Sequence, residues 1–517
     1  MPEIISDRRI AGLKLLAVLS GMAGIAYEVL FFRLLTNYFG DMFYVHATLL
    51  SIFLLGIGIG SKRAYRFQRY LYIVQICIGL YAFALPSILA LIQRMRWLAL
   101  TIDNAAFTSF LTAALLIVPS LLIGFSIPLF SSYLKAISHE NAFKSIYAVY
   151  NLGAFVSVLA IELILIRNLG ITGSLYFNAG LNVIVGAIVF FGYNDISRKE
   201  PQKEQGGNVF APGIIAALGL ASFASAVFQM FFYKTCFHIF DTNRENFAIG
   251  LAIGLVAISI GTSLVRRFRL RFETCMLLTI FFLGLIFGNF KAIHSLFISI
   301  WDFGQYSCSY RLLSKMAFAS IYGLAPMIFF GATIPAILVE EKSVARDSGY
   351  LLWVSCIGNA LGYLSYVYYG HVHFSNVGLI GFIAGLCLLA CLLMHGIGYL
   401  NKRKFVLSGL LLLIVLMFFS WNEKDFYLAN PSVPDLYKNE KISEFSLYKN
   451  GPDSVVLAGS REDLALFYNG HPGIEVFFKD RVNLGELASG VFSALYTDDY
   501  SRALVLGLGS GITAGAT

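Results

Sequence analysis

Charged residues are scarce in this sequence. Only 13% of its 517 residues are Asp, Glu, Lys or Arg, and 58% are hydrophobic. Soluble globular domains usually carry roughly 25% charged residues, so a soluble fold cannot account for most of the chain. The formal net charge of +8 does not indicate nucleic-acid binding, because the basic residues lie in short clusters between long apolar runs.

Cysteine is equally sparse. The seven cysteines show no CxxC spacing, and most lie inside apolar runs, where they are expected to act as small hydrophobic side chains. A disulfide between Cys236 and Cys308 is one alternative, because both fall in loops expected on the same side of the membrane. No metal is predicted, since His371 and His373 have the spacing of a ligand pair but no acidic or cysteine partner nearby.

Long apolar runs are what the sequence has in abundance. A transmembrane helix needs about 20 apolar residues, and we expect spans near 11–35, 43–60, 70–92, 105–131, 145–166 and 171–192. After a polar linker at 194–208, six more follow near 210–233, 246–264, 272–290, 313–338, 349–369 and 376–398, and a thirteenth at 405–421. The chain is therefore predicted to be an integral, multi-pass protein of a plasma or inner membrane, with the lipid bilayer as a partner.

Lys and Arg concentrate in every second loop, which predicts the orientation. The N-terminus with Arg8 and Arg9, the linker at 194–208 and the loop at 266–271 belong to the basic set. The positive-inside rule places this set, and hence the N-terminus, in the cytoplasm.

Two halves of the chain carry matching motifs. The segment 119–128, with Pro119, Gly124 and Pro128, recurs as 326–335, with Pro326, Gly331 and Pro335. The segment 20–33 likewise aligns with 221–234, and 151–153 with 356–358. Because six spans are an even number, the halves share one orientation, as in transporters built from parallel repeats.

Three ionisable residues fall in or near apolar spans: Glu28, Arg33 and Glu162. An ionised group there costs several kcal/mol unless it is paired or hydrated. They predict either a substrate or proton pathway through the bundle, or a structural Glu–Arg pair, with Arg33 reaching towards the interface as a further alternative.

From about residue 422 the composition turns soluble. Strands are predicted at 444–449 and 463–468, with tight turns at Asn450-Gly451 and Asn469-Gly470. An amphipathic helix follows, and then a buried strand at 503–506 that leads into Gly507, Gly509, Ser510 and Gly511. A glycine-rich loop after a buried strand is typical of folds that bind an adenosyl or dinucleotide cofactor, although a tight turn without ligand gives the same pattern.

These tail motifs, with Asp480 and Glu486, resemble the spermidine synthase family, and the motifs of the first and fourth spans resemble its membrane-fused branch. The resemblance implies aminopropyl transfer from decarboxylated S-adenosylmethionine to a polyamine such as putrescine. It assigns the donor to Gly507, Gly509, Ser510 and Gly511, and the polyamine to Asp480 and Glu486. The sequence departs from the family at Arg481, Leu484, Gly485 and Ser510, and the catalytic Asp would lie beyond Thr517, so this chain is expected to be truncated and inactive.

The predicted fold class is an α-helical polytopic membrane protein of two parallel six-helix repeats and one extra span. Its small α/β tail comprises a β-hairpin subdomain and the start of a Rossmann-like domain. The predicted domains are 1–193, 194–208, 209–400, 401–421 and 422–517. The functional alternative to a membrane-anchored synthase is a transporter-like or binding membrane protein, for a polyamine or another small cation, with a regulatory or vestigial tail. Thirteen spans would place that tail outside the cytoplasm, where an adenosyl donor is scarce.

Overall fold

The protein is described from a computed structural model. The description covers residues 2–39, 43–94, 105–138, 141–198, 210–240, 245–303, 308–395, 423–430, 442–450, 453–460, 463–478 and 484–495.

The described residues before the linker form a first group of helices. They are α1 Pro2–Phe39, α2 Phe43–Arg63, α3 Leu71–Arg94, α4 Ala105–Ile137, α5 Ala142–Ala160, α6 Ile166–Gly192 and the short α7 Asn194–Arg198. A 3-10 segment at Ala64–Tyr70 joins α2 to α3, and a π-helical segment at Ile161–Leu165 joins α5 to α6. Long helices are expected of apolar sequence in lipid, because a helix satisfies its own backbone polar groups.

The residues after the linker form a second group. They are α8 Pro212–Phe240, α9 Glu245–Phe268, α10 Phe272–Gly288, α11 Phe290–Phe303, α12 Cys308–Gly331, α13 Thr333–Ile337, α14 Val344–Ser365, α15 His371–His373 and α16 Asn376–His395. A second π-helical segment, Tyr366–Gly370, joins α14 to α15.

The protein is an integral, multi-pass membrane protein. Among the described residues, nine helical stretches are long and apolar enough to cross a membrane, or ten if the bent pair 272–288 and 290–300 forms one crossing. Two of the nine, Ala47–Ile92 and Ala142–Gly192, are 46 and 51 residues long. The first contains the 3-10 segment, and the second contains Gly170, whose φ of 68° interrupts the helix.

The two groups of helices pack in the same pattern. In the first group α1 packs on α5, α2 on α4 and α3 on α6. In the second group α8 packs on α14, α9 on α12 and α10 on α16. Between the groups, α2 lies along α14 and α5 lies along α9.

The tail contains a four-stranded antiparallel sheet in the order β1-β2-β3-β4. The strands are β1 Glu444–Asn450, β2 Asp453–Gly459, β3 Asp463–Tyr468 and β4 His471–Phe478. Asn469 and Gly470 have φ of 51° and 86°, as the tight turn predicted between two paired strands requires. The flanking helices are α17 Glu423–Tyr427 and α18 Leu484–Leu495.

This sheet docks on the C-terminal end of α8. His471 Nε2 lies 3.2 Å from the carbonyl oxygen of Phe237, and His238 Nε2 lies 3.4 Å from Ser454 Oγ. A Cβ at Gly470 would lie 3.0 to 3.2 Å from atoms of His238, so the turn can approach this closely because it lacks a side chain. The Phe426 and Tyr427 rings of α17 are fully buried and pack against His238.

The sheet and the linker lie at opposite ends of α8. This helix begins at Pro212, close after the linker, and its 29 residues extend about 43 Å at 1.5 Å per residue. The hydrocarbon core is roughly 30 Å thick, so the two ends of α8 reach opposite faces of the membrane.

The coarse fold prediction is confirmed, and part of its detail is not. Helices dominate, the protein spans the membrane, and a small antiparallel sheet follows. The predicted Rossmann-like start has no support, because the described residues contain no parallel strand pair. The thirteenth span at 405–421 and the strand at 503–506 lie outside the described residues, and Cys236 is a free, buried thiol.

The opposite placement of sheet and linker can be tested with two single cysteines. Tyr448 is 66% exposed on the sheet and Phe268 is 61% exposed at the C-terminal end of α9, which returns to the linker side. In sealed vesicles of one orientation, a membrane-impermeant maleimide should label only one of Tyr448→Cys and Phe268→Cys until the membrane is permeabilised. The parent chain gives the background, and labelling of both variants from the same side would contradict the arrangement.

Candidate functional site

A polar cavity lies inside the bundle, near the middle of the membrane. Its volume is about 70 Å³, and its polar walls come from residues halfway along α8 and α14 and from one residue each of α5 and α13. The polar lining residues are Tyr147, Ser222, Ser225, Gln229, Thr333, Ser355 and Asn359. Because α5 belongs to the first group and the rest to the second, the cavity lies at the contact between the two groups.

A break between α12 and α13 forms one wall of this cavity. The wall includes Phe330, Gly331 and Ile334, and Pro335 lies one residue further on. Proline has no N–H to donate to the carbonyl four residues before it, so the Gly331 carbonyl lacks its usual helical donor. Irregular backbone at membrane depth is tolerated where it lines a cavity, as it does at this break.

The polar side chains around the cavity are hydrogen-bonded to one another. Ser222 Oγ donates to Ser355 Oγ at 2.9 Å, and Tyr363 donates to Gln229 Oε1. Asn359 Nδ2 lies 3.4 Å from Ser355 Oγ. The Asn359 Oδ1 atom is buried without a hydrogen-bond partner in the described part of the chain. Buried polar atoms are nearly always satisfied by protein or ordered water, so this oxygen indicates a position for a ligand or water.

Glu28 lies on α1 beside a second, smaller cavity of about 20 Å³. The other lining residues are apolar: Phe32, Leu49, Leu50, Phe53, Leu116 and Phe247. Over the residues that the structure describes, the half-buried carboxyl group of Glu28 makes no hydrogen bond or ion pair. The Tyr233 and Tyr363 hydroxyls are close enough to interact with it electrostatically.

Arg33 and Glu162 form an ion pair between α1 and the first π-helical segment. Their side chains are 15% and 10% exposed, so the pair is mostly withdrawn from its surroundings. Each group therefore compensates the charge of the other, which fits the structural alternative considered for these two residues.

The contact between the two groups of helices is closed on both sides of the polar cavity. On the linker side, the Glu341 carboxylate accepts hydrogen bonds of 3.0 Å from the backbone N–H groups of Ala142 and Phe143, at the start of α5. There too, Lys62 Nζ lies 3.4 Å from the centre of the Trp353 ring. Towards the sheet side, Phe32 of α1 stacks on Phe247 of α9.

The predicted tail site is not brought together by the described residues. Gly507, Gly509, Ser510, Gly511 and Asp480 lie outside them, and Glu486 falls within α18 without a described side chain. The donor assignment to decarboxylated S-adenosylmethionine therefore stays a prediction from the sequence. His371 and His373 lie in α15, and no group of three potential metal ligands occurs among the described residues.

The residues that line the polar cavity were missed by the sequence reading. Serine and asparagine are common in transmembrane helices, where they hydrogen-bond within or between helices, so Ser222, Ser355 and Asn359 did not stand out. The available signal was the run of polar positions at 222, 225 and 229, which lie three and four residues apart and so share one helix face.

Comparisons with known proteins give structural likenesses only. No family model and no curated protein matches the sequence. Among solved structures, the chain is similar to an auto-inhibited POT family peptide transporter, at 12% identity and a TM-score of 0.44, over 78% of this chain and 96% of that one. It is also similar to the POT family transporter PepTSo, at 13% identity and a TM-score of 0.42, over 78% of this chain and 98% of that one.

The identification with the spermidine synthase family is wrong. The two solved structures described above are peptide transporters, and no family model supports an aminopropyltransferase. The polyamine assignment is unsupported for the same reason. The short motifs misled because a glycine-rich loop and scattered acidic residues recur in many unrelated chains.

A double substitution tests whether Arg33 and Glu162 are a structural pair. Arg33→Met removes the cation beside a mostly buried carboxylate, which costs about 3–5 kcal/mol in comparable pairs, whereas replacing both partners by apolar residues is often neutral. Thermal unfolding in detergent should therefore show a large loss for Arg33→Met and a return towards the parent for Arg33→Met with Glu162→Leu.

Arg9→Met is the matched control. Arg9 pairs with Asp195 at 2.6 Å, but the two side chains are 35% and 51% exposed. The Arg9 hydrogen bond lowers the pKa of the Asp195 carboxyl, yet exposed pairs contribute only about 0–1 kcal/mol. If Arg33→Met alone and Arg33→Met with Glu162→Leu lowered the unfolding temperature equally, the structural role of the Arg33–Glu162 pair would be contradicted.

Proposed function

We propose that the protein is a membrane transporter for a small polar solute, which binds in the polar cavity between the two groups of helices. The observation that carries this proposal is the cavity itself. It lies at mid-membrane, has neutral hydrogen-bonding walls, and contains the buried Asn359 oxygen without a partner among the described residues. Polar groups inside a membrane are costly and mark solute pathways in many proteins.

The lining indicates the kind of solute. Hydroxyl and amide side chains dominate it, and no charged residue lines it, so a solute with hydroxyl or amide groups fits best. A cavity of about 70 Å³ has room for a few water molecules, but not for an organic solute. The structure is therefore interpreted as a closed conformation that must open to load its solute.

The opening movement requires two bodies that can move against each other, and we infer that these are two halves of six crossings each. The stretches Ala47–Ile92 and Ala142–Gly192 are each more than twice the roughly 20 residues that one crossing needs. Their breaks divide each into two crossings, and the bent pair 272–288 with 290–300 supplies one more. The first group then has six crossings and the second has six, and the proposed halves are the domains 1–193 and 209–400.

The packing supports a parallel repeat of these halves. If α1, α2, α3, α4, α5 and α6 correspond to α8, α9, α10, α12, α14 and α16, each packing pair within the first group has its counterpart in the second. The contacts between the groups also correspond, because α2 on α14 becomes α9 on α5. Such an arrangement has an approximate two-fold axis along the membrane normal.

Two pairs of close helix crossings repeat residue by residue. A Cβ at Gly60 would lie 2.0 Å from the Leu121 carbonyl oxygen, and one at Gly261 would lie 2.2 Å from that of Ile328. Similarly, a Cβ at Gly153 would lie 2.2 Å from the Val18 carbonyl oxygen, and one at Gly358 would lie 2.4 Å from that of Gly219. Small residues let helices approach closely in membranes, and these crossings make each half a tightly packed body.

Two packed bodies around one site are the arrangement that alternating access requires. Opening towards the linker side would separate Glu341 from the start of α5 and Lys62 from Trp353. Opening towards the other side would separate Phe32 from Phe247. The solute site would stay between the bodies throughout the cycle.

Uptake into proteoliposomes tests the proposal. The probes are radiolabelled glutamine, alanyl-alanine and glucose, each compared with protein-free liposomes. We expect saturable uptake of at least one of them, and a loss of about tenfold in Asn359→Leu, because one hydrogen bond of about 1.4 kcal/mol to the solute would be removed.

Asn168→Leu is the control, because it makes the same chemical change at an exposed position. The proposal fails if folded protein takes up none of the three probes. It also fails if the two leucine variants take up a probe at equal rates.

A further inference from the structure

We propose that Glu28 is a proton-binding site: its carboxyl group holds a proton in this closed conformation and releases it when the bundle opens to water. The inference rests on the proposed function for the opening movement, but protonation of Glu28 can be measured without any solute. Glu28 is the intramembrane acid that neither the polar cavity nor the Arg33–Glu162 pair accounts for.

The surroundings of Glu28 favour the neutral acid. Its cavity is walled by apolar residues from α1, α2, α4 and α9, and none of the walls carries a cation. The Tyr233 and Tyr363 hydroxyls of α8 and α14 interact with it electrostatically. The nearest guanidinium on its own helix, Arg33, is paired with Glu162. An ionised carboxylate in this half-buried, apolar place would have no counter-ion among the described residues and little water.

The small volume of the cavity beside Glu28 and the few oxygen atoms near it argue against an organic cation or a metal ion as its occupant. A volume of about 20 Å³ is close to the space of one water molecule, so an organic cation does not fit. A metal cation such as Ca²⁺ takes six to eight oxygen ligands, whereas one carboxyl and two phenol groups are within reach here. A proton needs no space and one oxygen atom.

The acid at this site occurs in the first half of the repeat and not at the equivalent position of the second half. The alignment of 20–33 with 221–234 puts Gln229 in the second half where Glu28 stands in the first. Gln229 lines the polar cavity and accepts a hydrogen bond from Tyr363, whose hydroxyl also lies within electrostatic range of Glu28. A change of charge at Glu28 would therefore reach the polar cavity through one tyrosine.

The step itself is a simple acid dissociation. When the bundle opens and water reaches the carboxyl group, the O–H bond breaks, the proton passes to water, and the carboxylate keeps the electron pair. Closing the bundle reverses the step, because the carboxylate must take up a proton before water is excluded from it.

Infrared difference spectroscopy of the full chain in lipid nanodiscs tests the protonation directly. Spectra at mildly acidic pH, where ordinary carboxyl groups are already ionised, should contain the carbonyl stretch of a protonated carboxyl group in an apolar setting, and Glu28→Gln should remove it. Glu444→Gln, which removes an exposed carboxyl from β1, is the matched control and should retain it. If Glu28→Gln does not fold, Glu28→Asp should shift the band without removing it.

Uptake of the probe that the protein transports tests the coupling. A pH gradient, acidic outside, should drive its accumulation at least severalfold above equilibrium in the parent and in Glu444→Gln, and not in Glu28→Gln. Absence of the carboxyl band from the parent, or its survival in Glu28→Gln, would overturn the proton site. A band that depends on Glu28 in a protein that takes up no probe would support the site and count against the transporter instead.

Discussion

Close contact between helix backbones is the constraint on which the rest of this structure depends. Water is absent from the hydrocarbon core, so burial of apolar surface does not hold the helices together there, and dispersion contacts at short range must do so. The crossings at Gly60, Gly153, Gly261 and Gly358 bring each helix against a neighbouring carbonyl. A methyl group at Gly261 or Gly358 would separate two helices that both line the polar cavity, so the site depends on residues that do not touch it.

The scaffold is nearly symmetric, whereas the polar groups inside it are not. The glycine crossings and the packing pairs occur in both halves. In the repeat alignment, however, Glu28 corresponds to Gln229, and Arg33 and Glu162 correspond to Lys234 and Val367. Backbone packing tolerates little change, because an added atom has no space to enter. Side chains that line cavities are freer to differ, and that freedom lets two similar halves hold a neutral solute site and an acid.

The spans could be predicted from the sequence because hydropathy is a local property of each segment, and the strands because Asn469-Gly470 specifies its own turn. The pairing of Arg33 with Glu162 could not, since 129 residues separate them and their meeting depends on which helices become neighbours. The polar cavity could not be predicted because Ser222, Ser355 and Asn359, each taken alone, are ordinary residues of a transmembrane helix. The glycine loop at 507–511 was assigned to an adenosyl donor, although so short a motif does not specify a ligand.

The two π-helical segments, Ile161–Leu165 and Tyr366–Gly370, follow the corresponding helices α5 and α14, each a few residues after its glycine crossing. Each accommodates one residue more than a regular turn, and reverting to α geometry would rotate everything beyond it by about 100° around the helix axis. The part before the insertion would stay clamped by its glycine. Such a rotation would leave each of these spans with a fixed half and a rotated half. Because the first π-helical segment contains Glu162, the rotation would also move that carboxylate away from Arg33.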